Sequence, residues 1–378
     1  MISVEPFKNK LSAELVCCIA EHVSRHLPGF NAESFKAEVL QQLDQLELKQ
    51  RSQLIADQLH KTLPSNFKKR NAVLRAVLHP LDTALTDQQS DDAGICGWGM
   101  MPLCTVVGQY GLKDFDNSLQ LLREMTSRFT AEFDVRFYLL ADQDRTLNIM
   151  RTWLQDDNAN VRRLISEGTR PRLPWGQQLP AFIADPSPML PMLTALRDDE
   201  SEYVRRSVAN HLNDIAKDHP DLVAELALEW LKGADKNREK LVRHACRTLI
   251  KQGHSGALKA FGYTAPKLEL LQLSVHTPHI TLGDSLKFSA TLCSTSKQSQ
   301  SLVIDYVLHL KKANNSLAAK VFKWKKLRLA AGEKISIDKS HPLRAITTRR
   351  YYSGAQQLSL RINGTDFGLE NFELDVSS

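Results

Sequence analysis

Residues 126–140, TSRFTAEFDVRFYLL, and 156–176, DDNANVRRLISEGTRPRLPWG, decide how this chain is read. Phe133, Phe137 and Leu140 stand at i, i+4 and i+7, which predicts one apolar face of a helix. Glu132 and Arg136, four apart, are expected on a neighbouring face. The second segment is expected to turn Val161, Leu164 and Ile165 inward and Arg162 and Arg163 outward. It breaks at Glu167–Gly168, and a stiff Arg170-Pro171-Arg172-Leu173-Pro174-Trp175 exit follows. Two acids, several arginines and a tryptophan thus stand on or beside consecutive helices, more than a plain helical repeat requires.

Working outward, the second segment repeats. Asp156-Asp157 followed by Val161-Arg162-Arg163 returns as Asp198-Asp199 followed by Val204-Arg205-Arg206, and more loosely as Asp235 followed by Leu241-Val242-Arg243. Such periods predict stacked helix pairs of a HEAT-type α-solenoid, with acids at helix N-termini, where the dipole favours them. Upstream, apolar stripes at helical spacing run through Leu15–Val23, Phe35–Leu43, Leu54–Leu59 and Phe67–Leu78. Residues 84–98, rich in Asp, Gln and Gly, read as an exposed loop.

Near Tyr263 the pattern changes to period two. Seven runs alternate in that way: Leu268–His276, Leu286–Cys293, Leu302–Leu310, Lys320–Leu329, Lys334–Ser340, Gln357–Ile362 and Phe372–Val376. Turn residues such as Asn363-Gly364 separate them, which predicts an immunoglobulin-like β-sandwich. The expected organisation is therefore multidomain α + β: a HEAT-like α-solenoid over 1–262 and a basic immunoglobulin-like β-sandwich over 266–378.

The chain has 378 residues and a net charge of +6. That excess belongs to the tail, where residues 266–378 carry 16 basic against 9 acidic side chains; a polyanionic partner is expected. No run is long and apolar enough for a membrane span. The six cysteines show neither a disulfide framework nor zinc spacing. A reduced cytoplasmic protein without metal or cofactor is expected, acting as a monomer.

Three motifs carry a resemblance: Thr130-Ala131-Glu132-Phe133-x-Val135-Arg136, Ser166-Glu167-Gly168-Thr169-Arg170-Pro171-Arg172-Leu173-Pro174-Trp175, and Glu202-Tyr203-Val204-Arg205-Arg206-Ser207-Val208-Ala209-Asn210. Over residues 1–262 the chain resembles the bacterial DNA alkylation repair glycosylases of the AlkC/AlkD family. It is most similar to AlkC-type members with a C-terminal immunoglobulin-like domain. Asp134 departs from the usual Ala of that family, and Phe137–Tyr138 from its usual Pro-Phe.

The resemblance implies a monofunctional DNA glycosylase. Its reaction hydrolyses the N-glycosidic bond of cationic alkylated bases, 3-methylcytosine and 3-methyladenine, in double-stranded DNA and without base flipping. Glu132, Glu167 and Trp175 are then the catalytic candidates. Arg136, Arg163, Arg170, Arg172, Arg205, Arg206, Arg349 and Arg350 are the DNA-binding candidates. Each also has a plainer reading. Glu132 with Arg136 reads as an i,i+4 surface pair, Asp134 as a solvated helix residue and Trp175 as a plug under its loop. Trp153, Trp230, His211 and His244 read as structural. The alternative function is a non-catalytic HEAT-repeat scaffold or damage sensor that binds DNA or protein.

Overall fold

The computed structural model describes residues 5–80, 89–346 and 349–376. Its backbone contacts divide the chain into two compact units, Met1–Asp218 and His219–Ser378. The first unit contains α1 (Ala13–His26), α2 (Ala32–Leu43), α3 (Leu48–Thr62), α4 (Phe67–Ala76), α5 (Met100–Tyr110) and α6 (Phe115–Thr126). It continues with α7 (Val135–Ala141), α8 (Gln143–Arg151), α9 (Ala159–Gly168), α10 (Pro180–Ala184), α11 (Leu190–Leu196) and α12 (Glu202–Ile215). No helix of the described residues is long and apolar enough to cross a membrane.

Local capping explains where the central helices begin. Asp142 caps α8 by accepting from the Arg145 amide, and Asn158 caps α9 through the Asn160 amide. The repeated acids lie just outside the helices. Asp156 and Asp199 each accept an amide two residues on, from Asn158 and Ser201, in Asx turns.

The repeated arginines are not the outward pair expected. Arg162 donates back to the carbonyls of Asp156 and Asp157 at 2.7 and 3.1 Å, and forward to Asp199 at 2.7 Å. It is buried as a clamp between one repeat and the next. Arg123 makes the corresponding reach to Asp156 at 2.7 Å. Val161, Leu164 and Ile165 do face the core.

The helix predicted from Phe133 is also rotated. Glu132 and Phe133 belong to a turn, and α7 starts only at Val135. Its inward face is Val135, Tyr138 and Leu139, with Tyr138 donating to the Val107 carbonyl at 2.7 Å, whereas Leu140 is exposed. In the predicted loop, residues 84–88 lie outside the described residues. The rest is not simply exposed: Ile95 and Cys96 are buried, and Ile95 bridges to Leu78.

The second unit joins α13 (Pro220–Trp230), α14 (Lys236–Ala245), α15 (Arg247–Gln252) and α16 (Ser255–Ala260) to a two-sheet sandwich. Its strands are β1 (Leu268–Val275), β2 (His279–Thr281), β3 (Ser285–Ser294) and β4 (Gln300–Lys311). They are followed by β5 (Leu317–Leu329), β6 (Lys334–Pro342), β7 (Gly354–Ile362) and β8 (Thr365–Asp375). The sheet orders are β1-β3-β6 and β2-β8-β7-β4-β5. All seven alternating runs are strands; β2, too short to show a period, pairs parallel with β8.

Leu286, Phe288 and Leu292 of β3 meet Ile304, Tyr306 and Leu308 of β4 in the core. Asn363-Gly364 closes the β7–β8 hairpin with positive φ at both residues, as a type I′ turn requires. The contact division falls well before the change from helix to strand, so α13–α16 belong compactly with the sheets.

Gly253, which ends α15 at φ +80°, packs backbone to backbone on Gly364; a Cβ there would lie 2.5 Å from the Gly364 Cα. The left-handed conformation alone costs a side chain about 1–2 kcal/mol, and the clash adds to it. Gly253→Ala should therefore lower stability by at least about 2 kcal/mol in urea unfolding. Unchanged stability would show that this approach is not a constraint.

Candidate active site

The turn before α7 presents Glu132, and α9 presents Arg163 and Glu167 one helical turn apart, on one face. Arg163 Nη1 donates to Glu132 Oε2 at 2.7 Å and to Thr130 Oγ1 at 3.1 Å. Its Nη2 lies 3.6 Å from Glu167 Oε1. Arg170 Nη1 donates to that same oxygen at 2.7 Å, and Ser207 Oγ to the other at 2.6 Å. Arg170 Nε continues to Asp214 at 2.8 Å, which Lys217 meets at 2.9 Å. Two glutamates 35 positions apart are thus joined through one guanidinium.

Burial makes this lattice costly unless every charge is paired. Glu132 is 8% and Glu167 6% exposed, and their titrations diverge. Burial, aided by the charge of Glu167, raises the Glu132 carboxyl above its ordinary value, against the pull of Arg163. Burial also acts on Glu167. There the cations Arg163 and Arg170, with the Ser207 hydroxyl, outweigh it and hold the carboxyl below its ordinary value. The Arg163 guanidinium also stacks 4.8 Å from the Tyr203 ring centroid, which limits its freedom.

Arg136 does not pair with Glu132. It is fully buried. Its Nη1 donates to the carbonyls of Gly168 and Arg170 at 2.8 and 2.9 Å, and its Nε to Gln177 at 2.6 Å. It satisfies carbonyls at and beyond the end of α9 that no helical amide reaches, and so pins both ends of the 168–177 exit. Burial, then the charge of Arg170, pushes its pKa down to about 10.

Trp175 rides on that pinned segment. It is no plug: it is 66% exposed, with φ +65°, a strained value for a non-glycine residue. Lys49 donates to its carbonyl. A large aromatic face is thereby held out from the surface by a buried arginine on one side and a lysine on the other.

The remaining arginines sort by exposure. Arg170 is buried in the lattice, and Arg163 lies mostly within it. Arg172 is committed to Asp218 through two bonds, at 2.8 and 2.9 Å. Arg205 turns back to the Asp199 and Glu200 carbonyls. Arg206 is exposed beside Tyr203. Arg350 is exposed and Arg349 half-buried, each with its guanidinium 5.7 Å from a tyrosine ring, Tyr352 and Tyr351 respectively.

Two further groups escape a linear reading. Ser207, His211 and Asp214 fall at i, i+4 and i+7 on α12, a polar stripe in an otherwise apolar interior, and all meet α9 or its exit. The His211 ring is fully buried on the Ser166 carbonyl at 2.9 Å. Asp134 is buried, not solvated. It packs on α5 where Gly108 leaves room, since a Cβ at Gly108 would lie 2.8 Å from that of Asp134.

Comparisons with known proteins agree over nearly the whole chain. Residues 269–376 match the model of the C-terminal Ig-like domain of the uncharacterised protein YhaZ. The uncharacterized protein YhaZ of Bacillus subtilis (strain 168) is 37% identical over 359 residues, which cover 94% of this chain and 96% of that protein. A solved structure, Pseudomonas fluorescens alkylpurine DNA glycosylase AlkC bound to DNA containing an abasic site analog, superposes with a TM-score of 0.84. It is 35% identical, and the match covers 98% of this chain and 100% of that one.

Burial, then the charge of Glu132, pushes the Asp134 carboxyl up to about 8, against a hydrogen bond from Thr105. Its unfolded value is about 3.9. The stability that this carboxyl contributes is therefore complete below about pH 4 and is lost as pH rises towards 8. Asp134→Asn cannot ionise. Urea unfolding at pH 5, 6.5 and 8 should show wild type losing stability with rising pH faster than the variant. Parallel slopes would place the Asp134 titration elsewhere.

Proposed function

The chain belongs to the family that contains YhaZ and AlkC, and from that premise we propose that it is a DNA glycosylase that removes cationic alkylated bases from duplex DNA. The observation that carries this reading is the Glu132–Arg163–Glu167 arrangement, two fixed carboxylates beside an exposed, pinned tryptophan. A base alkylated at a ring nitrogen already carries positive charge and leaves readily. What remains is to stabilise an oxocarbenium-like sugar and to orient water. Carboxylates held in place before the reaction do both without reorganising.

In this mechanism Glu132 and Glu167 flank the sugar of the damaged nucleotide. The N-glycosidic bond breaks with both electrons passing to the base, which becomes neutral. Water adds to C1′, and its proton leaves through the less acidic carboxylate, Glu132. Trp175 lays its ring against the sugar. The damaged base stays in the stack until the bond breaks, because its cation is met by the carboxylates. Arg206 and Arg350, which are exposed, and Arg349, which lies beside Arg350, contact phosphates. Arg136, Arg163 and Arg170 act indirectly, by holding the site. No lysine nucleophile takes part, so the product is an abasic site in an intact strand. The lesions are 3-methyladenine and 3-methylcytosine.

Single-turnover base release from duplexes that carry one 3-methyladenine or one 3-methylcytosine tests this. Glu132→Gln and Glu167→Gln should each slow excision by roughly a hundredfold or more, with wild type unaffected by chelator and leaving strands uncut. Wild-type rates in both variants, or release of no base by wild type, would refute the reading.

A further inference from the structure

Beside Glu132 lies a recess of about 150 Å³ that the excision mechanism leaves unused. At roughly 30 Å³ per water it has room for about five, or for one planar heterocycle. Phe133, Phe137 and the rim residue Trp175 supply aromatic walls. Its polar edge is rigid. Gln53 and Gln109 exchange amide bonds at 2.9 and 2.8 Å, and Gln53 also donates to Asp57 at 2.7 Å. Tyr110 donates to the same Asp57 oxygen at 2.8 Å.

That arrangement uses both N–H groups of Gln53 but leaves one on Gln109, and each carboxamide oxygen keeps an acceptor site. The hydroxyl of Ser52, a further lining residue that is 2% exposed, has no hydrogen-bond partner. Preorganised donors and acceptors between aromatic walls are the features by which proteins hold nucleobases.

Charge selects the ligand. The ammonium of Lys49 stands on this rim, 6.0 Å from the Phe133 ring centroid and bonded to the Trp175 carbonyl. Asp134, the acid lining the recess, is held in its neutral form below about pH 8 by its burial. The lining of the recess therefore offers no anion to a cation, since Asp57 lies outside it with its oxygen taken up by Gln53 and Tyr110, in contrast to the Glu132–Glu167 pair next to it. Cleavage changes the charge of the base from positive to neutral, and so changes which of the two neighbouring sites suits it.

We propose that this recess is a product site that takes the excised base, a neutral nitrogen heterocycle, after the glycosidic bond has broken. The inference rests on the glycosylase reading for the identity of its ligand. It adds a stage at which the base leaves the carboxylates for a pocket of complementary polarity, so that free base competes with turnover.

Calorimetric titration of the full chain with free 3-methyladenine tests it. Wild type and Glu167→Gln should bind one equivalent alike, since Glu167 is not part of the recess. Gln109→Leu, which removes the free amide edge, and Phe137→Ala, which removes a wall, should each weaken binding at least tenfold while melting as folded proteins. No binding by wild type, or binding unaffected in whichever of the two variants folds, overturns the proposal. Excision assays on the same preparations separate the two readings. If wild type excises and does not bind free base, only the product site fails. If wild type releases no base from methylated DNA, the glycosylase reading fails with it.

Discussion

The interaction on which this structure most depends is the guanidinium of Arg163 between Glu132 and Glu167. Without it, two carboxylates would share a nearly dry space with one cation fewer, and burial together with mutual repulsion would drive protons onto them. With it, the rise of the Glu132 carboxyl is checked, Glu167 is held below its ordinary range, and both are fixed in one geometry. The rest of the helical unit supports that pairing. Arg170, Ser207 and Asp214 extend it into α12, Tyr203 stacks on its guanidinium, and Arg136 holds the segment that bears Trp175. The arginine-rich appearance of this region therefore reflects mostly internal wiring. An exposed arginine paired once contributes little to stability. A buried one bonded to several carbonyls or carboxylates defines a conformation, and its removal leaves those groups stranded.

Much of the architecture was legible in periodicity. The change from spacing of 3.6 to spacing of two separates α16 from β1, and Asn363-Gly364 announced a hairpin whose turn geometry it adopts. What periodicity could not supply was phase. The face of α7 follows from where the helix begins, and the turn through Glu132 and Phe133 delays that start, moving Val135 and Tyr138 inward in place of Phe133 and Leu140. Glu132, Glu167 and Trp175 were identified by resemblance to a family, and the fold brings the two glutamates together. Their shared partner, Arg163, reads in the sequence as a surface charge. A sequence shows the sign of a side chain but not its partner, and the same holds for Arg162, Arg136 and Arg170, which are buried on carbonyls and carboxylates. Asp134 reads as solvated and is buried for a related reason: the glycine on α5 that admits it is remote in the chain.

The two sides of Glu132 differ in electrostatic character. Towards α9 and α12 lie paired ions; towards α3 and α5 lie carboxamides, a neutral acid and a lysine beside aromatic rings. In a hydrolysis whose leaving group loses its charge in the reaction, such a boundary gives direction. In the mechanism we propose, the charged side favours the transition state and the neutral side favours the departed base. The same boundary explains how Asp134 differs from its neighbour Glu132 two residues away: one is bonded to a guanidinium, the other is buried with a threonine hydroxyl as its hydrogen-bond partner.

The central claim is that Arg163 pulls the titration of both carboxyls down against their burial. The most direct measurement is the pH dependence of single-turnover 3-methyladenine excision by Arg163→Gln beside wild type. Loss of the guanidinium removes what lowers both carboxyl pKa values, so the acid limb of the profile should move to higher pH, with the rate partly recovered on the alkaline side. A variant profile that keeps the wild-type acid limb, whatever its height, would contradict the account.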